Sequence, residues 1–173
     1  MKKLDYLIDQ YKQLHKNEVY GMSSIYLVVP VSEIISKTKP KRVLDYGCGQ
    51  SRLLNVLYEN YPDIDFVKYD PAIKKYSNKP TGKFDLVICT DVLEHIPEDC
   101  LDYILMDISS LSKNVLFNIS TKTAIWHLPD GSNCHKTVKE KEWWVELLNN
   151  YFDEPKIFYS KYFMLGIKTG TIE

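Results

Sequence analysis

The chain has 173 residues, of which 45% are hydrophobic and 26% are charged, a composition typical of a folded chain and not of a disordered one. Its 22 Lys+Arg and 23 Asp+Glu give a formal net charge of -1, which argues against a general nucleic-acid-binding surface. Arginine occurs only at Arg42 and Arg52, which argues against sequence-specific recognition of nucleic acid. A polar N-terminus, short apolar stretches and four cysteines without a CxxC pair predict a cytoplasmic protein without a membrane partner.

The first 40 residues predict a helical segment. Apolar residues at three- and four-residue spacing predict a helix over 3–16. Pro30 is expected to open a second helix that ends near Lys37. His15 lies beyond the apolar stripe of the first helix, so we expect it to be solvated.

From residue 41 onward, short apolar strands alternate with helical patterns. The strands are predicted over 42–45, 64–69, 84–90 and 115–119, and the helices over 51–60, from Pro97 and around 143–148. Two closing strands, near 157–159 and 162–167, are expected to pair antiparallel. The alternation predicts an α/β fold with helices on both faces of a mostly parallel sheet. Functional groups are then expected at the carboxyl ends of the strands.

A two-glycine turn follows the first strand, in Asp45-Tyr46-Gly47-Cys48-Gly49. Glycine permits positive φ and close approach of a ligand, and the next helix offers free N–H groups. The third glycine of a dinucleotide-binding motif is replaced by Arg52. Asp70 stands 21 residues after Gly49 at a strand end, the spacing of a carboxylate that binds ribose hydroxyls. Asp45 is expected to orient the loop amides or to meet an ammonium group.

Three ordered motifs resemble those of class I S-adenosylmethionine-dependent methyltransferases. They are Val-Leu-Asp-Tyr-Gly-Cys-Gly at 43–49, Tyr-Asp-Pro at 69–71 and Phe-Asp-Leu-Val-Ile-Cys-Thr-Asp-Val-Leu-Glu-His-Ile at 84–96. The resemblance covers about 41–119 and is greatest to the branch that methylates small molecules. It implies a Rossmann-like, doubly wound sheet and S-adenosyl-L-methionine as the cofactor.

The resemblance also implies which residues bind the cofactor. Gly47 to Gly49 would lie along its methionine and ribose parts, and Asp45 near its amino group. Asp70 would hold the ribose hydroxyls, Pro71 would touch adenine, and 90–92 would flank the methionine part. The full set of cofactor-binding residues implied in this way is Asp45, Gly47, Cys48, Gly49, Asp70, Pro71, Thr90, Asp91 and Val92.

The sequence departs from the family pattern between Asp70 and Phe84. Only 13 residues separate them, too few for the helix, edge strand and helix that the family places there. We therefore predict about six strands, with one edge strand of the usual seven missing and the Lys74–Lys83 loop replacing its adenine contact. The whole chain, 1–173, is predicted to be one methyltransferase domain, with 1–40 (including Tyr20-Gly21) as a helical lid and 41–173 as the core.

The expected acceptor is a hydroxyl or amine of a small molecule or glycan. The chain has neither the Asn/Asp-Pro-Pro-aromatic motif of enzymes that methylate amines of DNA bases nor a Pro-Cys pair for cytosine C5. His135, in the 122–136 loop, is the predicted base or acceptor ligand because histidine titrates near neutral pH, with Asp91 and His95 beside it. The loop pattern Leu-Pro-Asp-Gly-x-Asn-x-His and the Trp143-Trp144 pair also resemble a small group of bacterial and phage methyltransferase-domain proteins.

The sequence is compatible with more than one interpretation of the 91–95 segment and of the function. The Asp91, Glu94 and His95 group resembles the acid-x-x-Glu-His group with which some O-methyltransferases hold a divalent metal, and His127 or His135 would complete it. The alternative is local hydrogen bonding, and we expect no metal. The other functions considered are a non-catalytic S-adenosylmethionine-binding partner subunit and, less favoured because of Arg52, an NAD-dependent oxidoreductase. The sequence does not indicate an oligomeric state.

Overall fold

The computed structural model describes residues 2–20, 23–50, 52–152, 156–160 and 163–167. Its helices are α1 (Lys2–Asn17), α2 (Val28–Thr38), α3 (Leu53–Asn60), α4 (Leu101–Leu111) and α5 (Lys141–Asn149). Its strands are β1 (Arg42–Tyr46), β2 (Asp65–Tyr69), β3 (Leu86–Thr90), β4 (Val115–Ile119), β5 (Lys156–Ser160) and β6 (Phe163–Ile167). Gly21, part of the predicted lid, lies outside the described residues.

The strands form one six-stranded sheet in the order β2-β1-β3-β4-β6-β5. Strands β2, β1, β3 and β4 are parallel, while β6 runs antiparallel to both β4 and β5. This arrangement confirms the predicted Rossmann-like sheet with a C-terminal antiparallel hairpin. Because β2 and β3 lie on opposite sides of β1, the chain changes direction there and opens a crevice at the carboxyl ends of these strands.

Helices cover both faces of the sheet, as side-chain alternation along the strands requires. Leu44 and Val87 pack with residues of α4 and α5, including Leu105 and the fully buried Trp144. Val43 and its neighbours on the other face pack against α2 and α3. Burial on both faces explains why β3 and β4 are buried along their whole length.

The connection from β2 to β3 is short and lies at the edge of the sheet. Residues 70–85, all of which are described, contain one 3-10 turn, Lys74–Tyr76, and neither a helix nor a strand. The Arg42 guanidinium ties this segment down, since it donates to the carbonyl oxygens of Thr81 and Lys83 and lies 4.3 Å from the centre of the Phe84 ring. The prediction that one edge strand is missing between β2 and β3 is confirmed, and β2 is a partly exposed edge of the sheet.

Several predicted boundaries differ from the structure by one or more residues, and local geometry explains three of them. Helix α2 begins at Val28, so Pro30 lies within its first turn, where a missing N–H costs no hydrogen bond. Pro97 precedes a 3-10 turn, Glu98–Cys100, and α4 begins only at Leu101. Phe84 lies outside β3 because its N–H donates to the Leu111 carbonyl oxygen at 2.9 Å. None of the helices in the described ranges has the length and apolar character needed to cross a membrane.

Candidate functional site

A cavity of about 300 Å³ lies at the carboxyl ends of β1, β2 and β3. One wall comes from the loops after these strands, and another comes from α1. The structure brings all nine residues predicted to bind the cofactor to this cavity: Asp45, Gly47, Cys48, Gly49, Asp70, Pro71, Thr90, Asp91 and Val92. Helix α1 therefore forms one side of the cavity.

The two-glycine turn requires glycine for a specific reason at Gly47. Its φ is +77°, and a Cβ there would lie 2.4 Å from Cγ2 of Val92. The N–H groups of Gly47 and Cys48 donate to the Tyr69 carbonyl oxygen at 2.7 and 3.0 Å. These bonds fix the turn against the end of β2, so bare backbone lines the cavity where a side chain would fill it.

Asp70 joins the glycine turn to the loop after β2. Its Oδ2 accepts from the Gly49 N–H at 2.8 Å, and its Oδ1 accepts from the Ala72 N–H at 2.8 Å. A carboxylate offers about four lone-pair directions, and these backbone bonds occupy one on each oxygen. Asp70 can therefore still accept bonds from two ligand hydroxyl groups without giving up its structural role.

Asp45 is a buried carboxylate with an unmatched oxygen. Only 2% of the residue is exposed, and Oδ2 has no hydrogen-bond partner among the described residues. Burial raises the pKa of Asp45 from 3.8 to about 7, with Lys68 opposing the increase and Asp70 adding to it. A cationic group in the cavity would satisfy this oxygen, which fits the ammonium group predicted from the sequence.

Asp91 adopts a left-handed backbone, with a φ of +55°. Asn118, on the neighbouring strand β4, holds it there: its Nδ2 donates to Asp91 Oδ1 at 2.6 Å, and its carbonyl oxygen accepts from the Asp91 N–H at 2.8 Å. No sequence motif marks Asn118 as a site residue. The available signal was a single polar residue within an otherwise apolar strand.

Aromatic side chains close the cavity near α1. Tyr11 and Tyr20 lie with ring centres 6.1 Å apart, and the Tyr11 hydroxyl lies 2.6 Å from Nδ1 of His95. The prediction that His15 is solvated is wrong, because it lines the cavity and its Nδ1 is buried without a partner among the described residues. Its ring packs against both tyrosines, and the helical spacing that separates it from the apolar stripe places it beside the ligand space instead.

Glu94 and His95 follow β3 and are both buried. Glu94 Oε1 accepts from the Ser120 N–H at 2.9 Å, while burial, with Asp91 nearby, raises the pKa of Glu94 to about 8. Burial, with His135 nearby, lowers the pKa of His95 to about 3, so His95 is neutral at physiological pH. His95 lines the cavity, whereas Glu94 lies behind it.

The structure places His135 behind His95 and not on the cavity wall. The two rings meet edge to face with centres 4.7 Å apart, and His135 Nδ1 bonds the Lys122 carbonyl oxygen. Any effect of His135 on a ligand in the cavity therefore passes through His95. His127 is exposed on the same loop and pairs with Asn133 in an isolated β-bridge.

The loop after β4 is ordered by the polar residues of its own sequence pattern. Asn133 Oδ1 accepts from the N–H groups of Ala124 and His135, and its Nδ2 donates to the Ala124 carbonyl oxygen at 2.8 Å. Asp130 accepts from the Ser132 N–H at 2.9 Å. The loop therefore has one defined path beside the cavity.

A comparison with protein-family models identifies the chain. The model described as "Methyltransferase domain" matches residues 28–160, which include β1 to β5 and every strand end at the cavity. The chain belongs to this methyltransferase family. The resemblance predicted from the three motifs is thereby confirmed.

Solved structures share the fold of this methyltransferase at low sequence identity. An O-methyltransferase family protein from Burkholderia thailandensis has a TM-score of 0.61 and 14% identity, over 87% of this chain and 58% of that chain. DhpI in complex with SAH gives a TM-score of 0.60 and 13% identity over 95% and 97% of the two chains. The N-terminal domain of EvdMO1 in the presence of SAH and D-fucose gives a TM-score of 0.53 and 11% identity, over 81% of this chain and 80% of that chain.

The methyltransferase spans less than two thirds of the Burkholderia protein but nearly all of DhpI. No curated protein matches the chain. The predicted cofactor, S-adenosyl-L-methionine, agrees with the family and with the fold that it shares with SAH-bound proteins.

Proposed function

We propose that the protein binds S-adenosyl-L-methionine in the cavity and transfers its methyl group to a hydroxyl of a small molecule or glycan. One observation carries the proposal: nine residues chosen from sequence motifs all line one cavity at the switch point of a methyltransferase-type sheet. The cofactor supplies an electrophilic methyl group on a sulfonium. The chain supplies binding, orientation and exclusion of water.

Three carboxylates and the glycine turn each bind a different part of the cofactor. Asp45 meets the ammonium group with its unmatched oxygen, and the 47–49 backbone lies along the ligand where Gly47 leaves room. Asp70 accepts the ribose hydroxyls. Asp91, whose left-handed backbone is fixed by Asn118, contacts the methionine part together with Thr90 and Val92.

The adenine side of the site uses the short β2–β3 connection. Lys79 lines the cavity, and its Nζ lies 2.6 Å from Asp107 Oδ1 on α4. This ion pair holds the 74–83 loop over the adenine end, and Pro71 and Ala72 supply apolar contact. The loop thus replaces the contact that a longer crossover provides in the family pattern.

The acceptor side lies between α1 and the loop after β4. Leu4, Leu7 and Ile8 of α1 exclude water there, and Asp91 and His95 are two of the polar groups that line the cavity. Because the pKa of His95 is lowered to about 3, His95 positions the acceptor and Asp91 accepts its proton. His135 acts as a positioning residue through its ring contact with His95. The O-methyltransferase neighbour and the neighbour crystallised in the presence of D-fucose support a hydroxyl acceptor.

Calorimetry and mass spectrometry test the proposal in sequence. We expect one S-adenosylhomocysteine to bind per chain, while NAD gives no heat of binding. Incubation with S-adenosylmethionine and a panel of sugars and hydroxylated small molecules is expected to add one methylene mass to an acceptor. Binding of NAD instead of S-adenosylhomocysteine would contradict the cofactor assignment. Cofactor binding with no product across amine and hydroxyl acceptors would favour a non-catalytic partner subunit.

A further inference from the structure

Three side chains that can ligate metal meet where the loop after β4 reaches the turn after β3. Glu94, His95 and His135 each place a ligand atom within 4.8 Å of the other two. Glu94 and His95 are adjacent in sequence, whereas His135 reaches them from 40 residues further along the chain. The ordered path of the loop therefore creates the cluster.

The Glu94 carboxylate has one satisfied and one unsatisfied oxygen. Oε1 accepts from the Ser120 N–H at 2.9 Å, which fixes the orientation of the group. Oε2 is buried and has no partner among the described residues, in a side chain whose residue is 0% exposed. A buried carboxylate oxygen without a partner is costly, so the site is built for a group that supplies positive charge or a hydrogen-bond donor.

Both histidines of the cluster place Nδ1 at a backbone carbonyl oxygen. Nδ1 of His95 lies 3.1 Å from the Cys134 carbonyl oxygen, and Nδ1 of His135 bonds the Lys122 carbonyl oxygen. A carbonyl oxygen only accepts, and the Tyr11 hydroxyl, 2.6 Å from His95 Nδ1, donates its own hydrogen to the Cys134 carbonyl oxygen. Nδ1 therefore carries the hydrogen in each ring and Nε2 keeps the lone pair. Imidazoles held by an Nδ1–H to carbonyl bond are characteristic of metal ligands, because that bond fixes the tautomer and the ring orientation.

We propose that Glu94, His95 and His135 bind one divalent first-row transition-metal ion. Two imidazole nitrogens and one carboxylate suit such ions, whereas Mg²⁺ and Ca²⁺ prefer ligand sets made of oxygen. Three protein ligands leave coordination positions open. Because His95 also lines the cavity, the ion lies next to the acceptor side, with positions for water or an acceptor oxygen.

This ligand set differs from the one that the sequence suggested. Asp91 Oδ1 accepts from Asn118, and Asp91 is not in the cluster. His127 is exposed and likewise lies outside it. The inference goes beyond the proposed methyl transfer and does not depend on it, since the three ligands are in place without the cofactor.

Titration of the chelator-treated full chain with Co²⁺, followed by visible absorption and calorimetry, tests the site without an activity assay. We expect one Co²⁺ per chain. Glu94→Gln keeps an oxygen for the Ser120 N–H but removes the charge, and His135→Ala removes a ligand. Each is expected to weaken Co²⁺ binding on the order of 100-fold, since even indirect partners of metal ligands are worth 10–100-fold. His127→Ala, at an exposed histidine of the same loop, is the matched control and keeps wild-type affinity. Asp91→Asn leaves all three ligands in place and is expected to lose less Co²⁺ affinity than Glu94→Gln.

Circular dichroism and the midpoint of urea unfolding show whether each variant is folded. Absence of Co²⁺ binding to the wild type, or equal affinity in wild type and Glu94→Gln, would overturn the proposal. A loss in Asp91→Asn as large as that in Glu94→Gln would overturn the ligand set. Co²⁺ binding by a chain that fails to bind S-adenosylhomocysteine would leave the metal site intact and refute the proposed function alone.

Discussion

Replacing Asp45 by Asn separates the stability of the fold from the binding of the cofactor. The folded-state pKa of about 7 lies above the ordinary value of 3.8 because the carboxyl is buried. A group with a raised folded-state pKa contributes most stability when protonated, so that contribution is lost as pH rises from about 4 to about 7. The difference between these two pKa values corresponds to a loss of about 4 kcal/mol in the free energy of unfolding above pH 7.

We therefore expect Asp45→Asn to be more stable than the wild type at alkaline pH when no cofactor is present. The gain has an upper bound of about 4 kcal/mol, because the new amide also needs a partner for its N–H groups. Urea denaturation from about pH 5 to about pH 8 measures it as a difference in unfolding free energy that grows with pH. Asp63→Asn, at an exposed position after α3, is the control and keeps the wild-type profile.

Whereas Asp45→Asn is expected to stabilise the fold, it is expected to weaken cofactor binding. An ammonium group beside Asp45 lowers the pKa of the carboxyl again, so wild-type affinity for S-adenosylhomocysteine rises with pH up to about 7 and then levels off. Loss of a hydrogen bond between charged groups costs about 1.5–3 kcal/mol, so the variant should bind about 10- to 100-fold more weakly. Calorimetry at several pH values measures this. Equal affinity of wild type and variant, with parallel stability profiles, would refute the reasoning.

Three further predictions follow from the site geometry. Gly47→Ala should abolish S-adenosylhomocysteine binding and destabilise the fold by at least about 1–2 kcal/mol, seen as a lower Tm, because a left-handed backbone is combined with a 2.4 Å contact to Val92. Wild-type affinity in this variant would show that the turn does not hold the ligand. Asp70→Asn should weaken binding at least about tenfold in calorimetry, whereas Asp65→Asn, exposed at the far end of β2, should not. Asn133→Ala removes three hydrogen bonds, worth about 1 kcal/mol each, and should speed amide exchange in the loop without changing exchange in β3. Unchanged exchange in the loop would contradict the role given to Asn133.

The sequence was most informative where chemistry and periodicity coincide. The strands that precede Gly47 and Asp70 could be placed because an apolar run ends where these residues begin a turn. The missing edge strand could also be predicted, since a 13-residue gap excludes a helix–strand–helix crossover. These features depend on residues near one another in sequence, which is why they were predictable without coordinates.

Contacts between distant parts of the chain could not be predicted in this way. The sequence pattern predicts only that Tyr11 belongs to the apolar stripe of α1. In the structure its hydroxyl contacts His95, which lies 84 positions further along the chain. In the sequence Asn118 is only a polar residue within an apolar strand, whereas in the structure it fixes the backbone of Asp91. The register between β3 and β4 decides the second contact, and no single-sequence pattern specifies that register.

The same distinction explains why the cluster behind the cavity became apparent only in the structure. Glu94 and His95 are equally compatible with local hydrogen bonding and with metal ligation when only their sequence is known. The backbone N–H groups of Lys136 and Thr137 donate to the Glu94 carbonyl oxygen at 2.8 and 3.0 Å, and these bonds bring the loop back onto the turn after β3. These backbone bonds and the Asn133 side chain, whose Oδ1 accepts from the His135 N–H, together place His135 at His95. The loop is thus a structural part of the site, and a substitution that loosens it should impair the acceptor side before it impairs cofactor binding.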